Sequence, residues 1–545
     1  MILSRINQHY PIRYTVWHAT IALALLGTVA WPSTLWLQAT VVLAWALLAV
    51  GLYDLRQHRH AILRNYPIIG HLRFMLEFIR PEMRQYFIES DTEAEPFSRA
   101  QRSVVYARAK GESDARPFGT QKDTRAIGYE WLQHAMAPTH IASHDFRVHV
   151  GGPACSQPYD ISRLNISAMS FGALSANAIM ALNQGARLGG FAHDTGEGSI
   201  SRYHQSQGGD LIWQIASGYF GCRNAEGGFD EDKFKANAAL DQVKMIEIKL
   251  SQGAKPGHGG VLPGAKVNAE IAEARGIPVG VTCVSPAKHS AFGTPIELMQ
   301  FIQRLRELSQ GKPIGFKFCV GHPWEWFALV KAMLHTGITP DFIVVDGGEG
   351  GTGAAPLEFS DHMGMPLWEG LRLVHNTLVG TGLREHIRIG AAGKIITAFD
   401  MARTMALGAD WCNSARGFMF ALGCVQAQHC ASGYCPTGIT TQDPVRQRAL
   451  VVDDKAKRVA NFQQHTLKAL QELIEAAGLR DPGDLTPEHI LRRIDVHRVA
   501  PLSEILPTVQ PGQLLNVDAN YMDALPPHYR RYWLRSRAEQ FALAD

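Results

Sequence analysis

Ile314-Gly315-Phe316-Lys317-Phe318, a helical stretch from Trp324 to Thr336, and Phe342-Ile343-Val344-Val345-Asp346-Gly347-Gly348 follow one another within thirty-five residues. Two apolar runs of strand length flank a segment with helical periodicity, and that order builds parallel sheet by a crossover. The sole charge in the first run, Lys317, sits one residue before its end. In parallel α/β folds the chemistry collects there, at the C-terminal edge of the strands.

Working outward, the same alternation runs from Leu164 to Gly417 and predicts eight strands: Leu164–Ser167, Gly190–His193, Ile246–Leu250, Gly280–Val284, Ile314–Phe318, Phe342–Asp346, Ile387–Ala391 and Asp410–Ser414. Helices are expected at Ala176–Leu188, Ile296–Leu308, Trp324–Thr336, Leu367–Thr377 and Thr397–Ala406. Eight βα units of this length predict an α/β fold of the (β/α)8 TIM-barrel type. A doubly wound sheet is the rival topology. Gly348-Glu-Gly350-Gly-Thr-Gly353 fits a dinucleotide fingerprint, but Pro356 breaks the helix that such a turn must open. The glycines instead suit a loop that lets a flat ligand approach the backbone.

Polar residues gather at the strand ends: Ser167, Ser170, Asp194, Thr195, Lys249, Ser285, Lys317, Asp346, Lys394, Ser414 and Arg416. Ala391-Ala-Gly393-Lys394 and Ser414-Ala415-Arg416-Gly417 follow the seventh and eighth strands, where barrels of this type bind phosphate. Cys424, Cys430 and Cys435 crowd into twelve residues before Pro436-Thr-Gly438. Three thiols followed by proline suit an iron–sulfur cluster; zinc, with His429 as fourth ligand, is the alternative. The other five cysteines are scattered and read as reduced.

The chain has 545 residues, 53 Lys and Arg against 50 Asp and Glu, and a formal charge of +3. So small an excess gives no footprint for nucleic acid. At its start, Tyr14–Ala30 and Leu35–Tyr53 carry no Lys, Arg, Asp or Glu and are separated by Trp31-Pro-Ser-Thr34. At ~1.5 Å per residue each is about long enough to cross a bilayer. Arg5 and Arg13 precede the pair and Arg56, Arg59 and Arg64 follow it, so both ends are expected on the cytoplasmic side of an inner or plasma membrane, with the catalytic body cytoplasmic. The domains read as a transmembrane hairpin at 1–53, a connector at 54–150 with short helical pieces on either side of Pro81, the barrel at 151–445, and a helical C-terminal extension at 446–545.

From about Asp160 to Asp443 the sequence resembles the FMN-binding synthase domain of glutamate synthase, without a glutaminase domain. The resemblance rests on Ala168-Met-Ser-Phe-Gly-Ala-Leu-Ser175, Asp194-Thr-Gly-Glu-Gly198, Ala216-Ser-Gly218, Glu247-Ile-Lys249, Gln252-Gly-Ala-Lys-Pro-Gly257, Leu262-Pro-Gly264, Gly350-Gly-Thr-Gly-Ala-Ala-Pro356 and the cysteine segment. It implies FMN held by Ala168, Met169, Ser170, Lys317, Gly347, Gly348, Gly393, Ala415 and Arg416, and a [3Fe-4S] cluster on Cys424, Cys430 and Cys435. It also implies Lys249 and Lys255 as catalytic lysines beside flavin and oxoacid. The implied reaction is reductive amination of 2-oxoglutarate to glutamate by an oxidoreductase of CH–NH2 donors. An external ferredoxin or reductase subunit would supply electrons, and a homo-oligomer is compatible with the sequence.

The pattern departs from the family at the oxoacid pocket. Where the family has Glu and Gln after Lys-Pro-Gly, this chain has His258 and Val261; Tyr219 replaces an Arg, and the Pro- and His-rich stretch becomes Ser285-Pro-Ala-Lys-His289. The alternatives are therefore an FMN-dependent dehydrogenase of another amino or hydroxy acid feeding a membrane acceptor, and a non-catalytic electron-transfer protein.

Overall fold

In the computed structural model, which describes residues 10–93, 95–515 and 526–544, eight parallel strands close into a barrel. They are β1 (Leu164–Ile166), β2 (His193–Asp194), β3 (Leu211–Ile215), β4 (Val243–Lys249), β5 (Ile314–Phe318), β6 (Phe342–Asp346), β7 (Arg388–Ala392) and β8 (Trp411–Ser414). β8 pairs back onto β1 through Cys412 with Leu164 and Ser414 with Ile166. The doubly wound alternative is thereby excluded.

Two sequence expectations are corrected. Leu211–Ile215 is the third barrel strand, whereas Gly280–Val284 is not in the barrel: Cys283–Val284 pairs antiparallel with Val261–Leu262 in a two-stranded excursion. The missed strand follows a crossover whose α-helix is only the single turn Arg202–Gln205, too short to show periodicity. The false one is β-branched because it builds that excursion, between β4 and the helix Pro295–Leu308.

Alternation sets the barrel interior. Successive inward positions are Met245, Glu247 and Lys249 on β4, Ile212 and Gln214 on β3, and Phe342, Val344 and Asp346 on β6. The lower layer is apolar: Ile212, Met245, Phe342, Val344 and Trp411 pack with Val148, Val150 and Ile161. The last three belong to a hairpin, Arg147–Val150 with Tyr159–Ser162, which plugs the N-terminal end. Outward residues such as Ile246, Ile248 and Phe316 join the main core beneath the helices.

Helix starts follow local chemistry. The Ser175 hydroxyl accepts from the Ala178 N–H, and Thr294 with Glu297 and Thr397 with Asp400 form capping boxes. The long helix Val452–Ala476 packs on Ala176–Gly189 and on Arg99–Lys110, so the C-terminal extension is part of the barrel's outer layer.

The chain divides into two compact units, 1–95 and 96–545; the connector expected at 54–150 is shared between them. In the first unit, Ile12–Val29 and Leu35–Arg56 are helices long and apolar enough to cross a membrane. They lie close: Trp45 Nε1 donates to Thr28 Oγ1 at 2.9 Å, and a Cβ on Gly51 would strike Trp17. Apolar side chains point outward along both, with Leu26 69% and Trp36 85% exposed. Arg5 lies outside the described residues. Pro81 does not separate two helical pieces: Gly70–Met83 runs through it and continues into the π-helical turn Arg84–Ile88.

Candidate functional site

The C-terminal end of the barrel is polar where the lower layer is apolar. Asp194, Gln214, Glu247 and Lys317 converge there, each at most 4% exposed. Gln214 Nε2 donates to Glu247 Oε1 at 2.6 Å, and Lys317 Nζ lies 3.7 Å from the same oxygen. Burial and the neighbouring Glu247 push the Asp194 carboxyl well above the usual carboxylate range, against Lys317 and the Gly196 N–H. Burial raises Glu247 and Asp346 as well, with Lys317 opposing. Lys317 loses stabilisation by burial but gains more from Glu247, Asp194 and Asp346, and its pKa is raised. Asp194, Glu247 and Asp346, each raised by burial, thus face one lysine at the barrel's centre.

Beside it, Lys249 Nζ meets Glu197 Oε2 at 2.7 Å. Burial would raise the Glu197 pKa, but Lys249, Arg275 and Lys255 pull it down to about 2. Lys255 is 3% exposed, with Nζ 3.5 Å from the Ala354 carbonyl. Burial and Lys249 lower its pKa against Glu197. The two lysines singled out from sequence thus share one carboxylate.

Tyr219 and His289, both at the departures from the family, form one buried unit. His289 Nε2 is 3.0 Å from the Lys249 carbonyl and must be its donor, so Nδ1 accepts from Tyr219 Oη at 3.1 Å. That hydroxyl in turn accepts from the Ala291 N–H at 3.1 Å. Burial drives the His289 pKa down to about 4, in keeping with a neutral ring. His258 Nδ1 donates to the Gly259 carbonyl at 2.9 Å and its ring meets Phe359 edge to face. Ser285, expected at a strand end, lies instead after the excursion and donates its N–H to Gly260.

The loops after β6, β7 and β8 pack closely. Gly393 (φ 154°) and Lys394 (φ 49°) both have positive φ, and a Cβ on Gly393 would come within 3.2 Å of Leu367. Gly347 accepts no side chain because Glu349 fills the space. The Gly348 N–H bonds the Met365 carbonyl. Ala168, Ser170 and Ala415 are half-buried at the mouth, and Met169 is 9% exposed.

Arg416 connects this rim to the cysteines. Its Nη1 lies 3.7 Å from Cys430 Sγ, and a Cβ on Gly351 would sit 3.3 Å from its Nε. The Gln426 N–H points at Cys424 Sγ at 3.5 Å, and Cys435 Sγ is 3.4 Å from Thr437 Oγ1. Burial raises the Cys424 thiol to about 11. For Cys435 burial is outweighed by hydrogen bonds from Thr437 and Thr440, which bring it to about 7. Lys266 Nζ donates to the carbonyls of Cys430 and Thr440. Among the described residues no three His, Cys, Asp or Glu side chains are gathered as a single metal ion requires. The donors aimed at the sulfurs suit thiolate ligands.

Sequence reasoning missed Glu197, Gln214 and Glu247 as site residues. Glu197 and Glu247 stood inside motifs already quoted; Gln214 was hidden with its strand.

The profile of the conserved region in glutamate synthase matches residues 147–480. The glutamate synthase large subunit-like protein YerD of Bacillus subtilis is 37% identical over 519 residues, covering 87% of this chain and 96% of that protein. The archaeal-type glutamate synthase [NADPH] of Thermotoga neapolitana is 36% identical over 314 residues, 57% of this chain and 59% of its own. For the archaeal glutamate synthase [NADPH] of Methanocaldococcus jannaschii the identity is 38% over 315 residues, 58% of each chain.

Proposed function

Because the chain belongs to the glutamate synthase family, we propose that this glutamate synthase-like oxidoreductase binds FMN at the barrel mouth and an iron–sulfur cluster on Cys424, Cys430 and Cys435, and reductively aminates 2-oxoglutarate to glutamate. The observation that carries the reading is Arg416, whose guanidinium lies 3.7 Å from Cys430 Sγ and stands where a Cβ on Gly351, in the glycine loop after β6, would come within 3.3 Å of it. An electron arriving at the cysteine loop has a short path to the mouth. In this reading ammonia and a pair each of electrons and protons convert the oxoacid to the amino acid and water, with the electrons entering from an external ferredoxin or reductase subunit.

Bound FMN would supply the hydride equivalent to the imine carbon. The chain's residues do the rest. Ala168, Met169, Ser170, Gly347, Gly348, Gly393, Ala415 and Arg416 would hold the cofactor, and Lys317 would set a permanent positive charge beside it. Lys255, lacking a carboxylate of its own, would bind the anionic end of the oxoacid, while Glu197 holds Lys249 in place. The unit 1–95 would anchor the protein in the inner or plasma membrane by its two outward-facing apolar helices, with the catalytic body in the cytoplasm.

One observation favours a second reading, an FMN enzyme acting on a different amino or hydroxy acid. Tyr219 Oη is committed to His289 and Ala291, so it offers no cation to a second carboxylate. The test is cofactor content and iron assay of the purified full chain, then re-oxidation of the reduced protein by oxoacids with ammonia. Selective re-oxidation by 2-oxoglutarate supports glutamate formation. Bound FMN and iron with no response to 2-oxoglutarate favours the second reading, and a folded protein that takes up no FMN sinks both.

A further inference from the structure

The helix Gly70–Met83 is not used by any of the chemistry above, and its sequence is built for a boundary. Leu72, Met75, Leu76, Ile79 and Met83 recur at helical spacing and fall on one stripe. None is buried: they are between 37% (Ile79) and 53% (Leu76) exposed. Phe87 in the following turn is 78% exposed. An apolar stripe of that length left open to water is unfavourable, so something apolar must cover it.

The start of this helix is tied to the end of the second apolar helix. Asp54, the last acidic residue of Leu35–Arg56, is fully buried. It accepts from the Ile68 N–H at 3.0 Å and from His71 Nε2 at 2.9 Å. Ile68 sits in the left-handed region at φ 67°, which turns the chain sharply there. The stripe therefore begins at the level where the spanning helix leaves the hydrocarbon. Charge points to the same place: between positions 56 and 84 there are six arginines (Arg56, Arg59, Arg64, Arg73, Arg80, Arg84) against two glutamates, Glu77 and Glu82. Basic residues beside a membrane span are drawn to anionic headgroups of the cytoplasmic leaflet.

Resting on the reading of 1–95 as a membrane anchor, we infer that Gly70–Met83 lies in the headgroup layer of the same bilayer, its Leu72–Met83 stripe buried in lipid and its arginines on anionic headgroups. The protein is then held by a hairpin across the membrane and by a helix along it.

Full-length protein in nanodiscs of phosphatidylcholine and phosphatidylglycerol, the latter carrying a diazirine in the acyl chain, tests this by mass-spectrometric mapping of photo-adducts. Adducts are expected on residues 72–83 and on the spanning helices, those on 72–83 rising severalfold with phosphatidylglycerol content. In Ile79→Asp the adducts on 72–83 should fall at least severalfold while those on 15–56 hold. Adducts on 15–56 with 72–83 no higher than the exposed segment 116–126 would overturn the inference and leave the anchor standing. Absence from both would remove the anchor reading itself. An Ile79→Cys variant that forms disulfide-linked dimers through the stripe on oxidation, with lipid adducts lost from 72–83, would make a second copy its occupant and overturn the inference too.

Discussion

Lys317 is the residue on which the upper barrel balances. Removing it as Lys317→Met leaves Glu247 buried with Gln214 and the Asp194 carboxyl but no cation, and an uncompensated buried charge typically costs about 3–5 kcal/mol. Glu247 can escape by taking a proton, so the loss of stability in thermal unfolding should be larger at pH 8 than at pH 5.5; an equal loss at both would mean that Glu247 is not the group released. The Tyr219–His289 unit makes a second prediction. Tyr219→Phe strips the donor from His289 Nδ1 and the acceptor from the Ala291 N–H, at roughly 1–3 kcal/mol, measured by denaturant unfolding. His289 titrates near 4 when folded against about 6.5 in an unfolded chain. Its folded pKa is depressed and the unfolded state binds the proton first, so its contribution is complete above pH 6.5 and is lost as pH falls towards 4. His204 and His375, each lowered by burial to about 3, lose theirs in the same direction, so unfolding midpoints should drop steadily below pH 6.5.

At the scale of elements, one close helix contact is made by a residue without a side chain. Gly185, in Ala176–Gly189, faces Val459 and the Ala456 carbonyl of Val452–Ala476, where a Cβ would lie 2.5 Å from Val459 Cγ1 and 2.8 Å from the carbonyl oxygen. Helix propensity alone makes Gly185→Ala stabilising by up to about 1 kcal/mol. The backbone oxygen cannot move away, so the variant should instead lower stability by about 1–3 kcal/mol through overpacking, and adding Val459→Ala should restore only part of it. Elements also show where sequence reading stops. Helices beginning at a cap, such as Pro295–Leu308 behind Thr294, and strands with a full crossover helix, such as Phe342–Asp346, declare themselves locally. Leu211–Ile215 did not, because its crossover lacks a periodic helix, and Gly280–Val284 misled because a β-branched run looks the same in a barrel and in a small excursion. The site was legible to the same degree. Lys317, Asp194 and the three cysteines stand out by type and spacing, while Gln214 and Glu247 become part of the site only when two further strands bring them to the same level.

For the whole molecule, the division at 95/96 predicts that limited proteolysis near residues 90–96 releases a 96–545 body with its own cooperative melting transition, unchanged within a degree or two. Loss of that transition on cleavage would mean that the barrel draws stability from the first unit.

The hairpin Arg147–Val150 with Tyr159–Ser162 seals the far end of the barrel with Val148, Val150 and Ile161. A vessel closed at its base has a single mouth, and every reactant that uses the interior must enter and leave through it. If the chain turns over an oxoacid as proposed, turnover becomes a matter of order: a bound product would block the next acid, and excess acid would block the release of product. On the proposed function electrons would escape this queue, since they would arrive from the cysteine loop, where Arg416 Nη1 lies 3.7 Å from Cys430 Sγ. In steady-state kinetics such an arrangement separates the reductant from the acid, giving parallel lines for that pair and competition between acid and product.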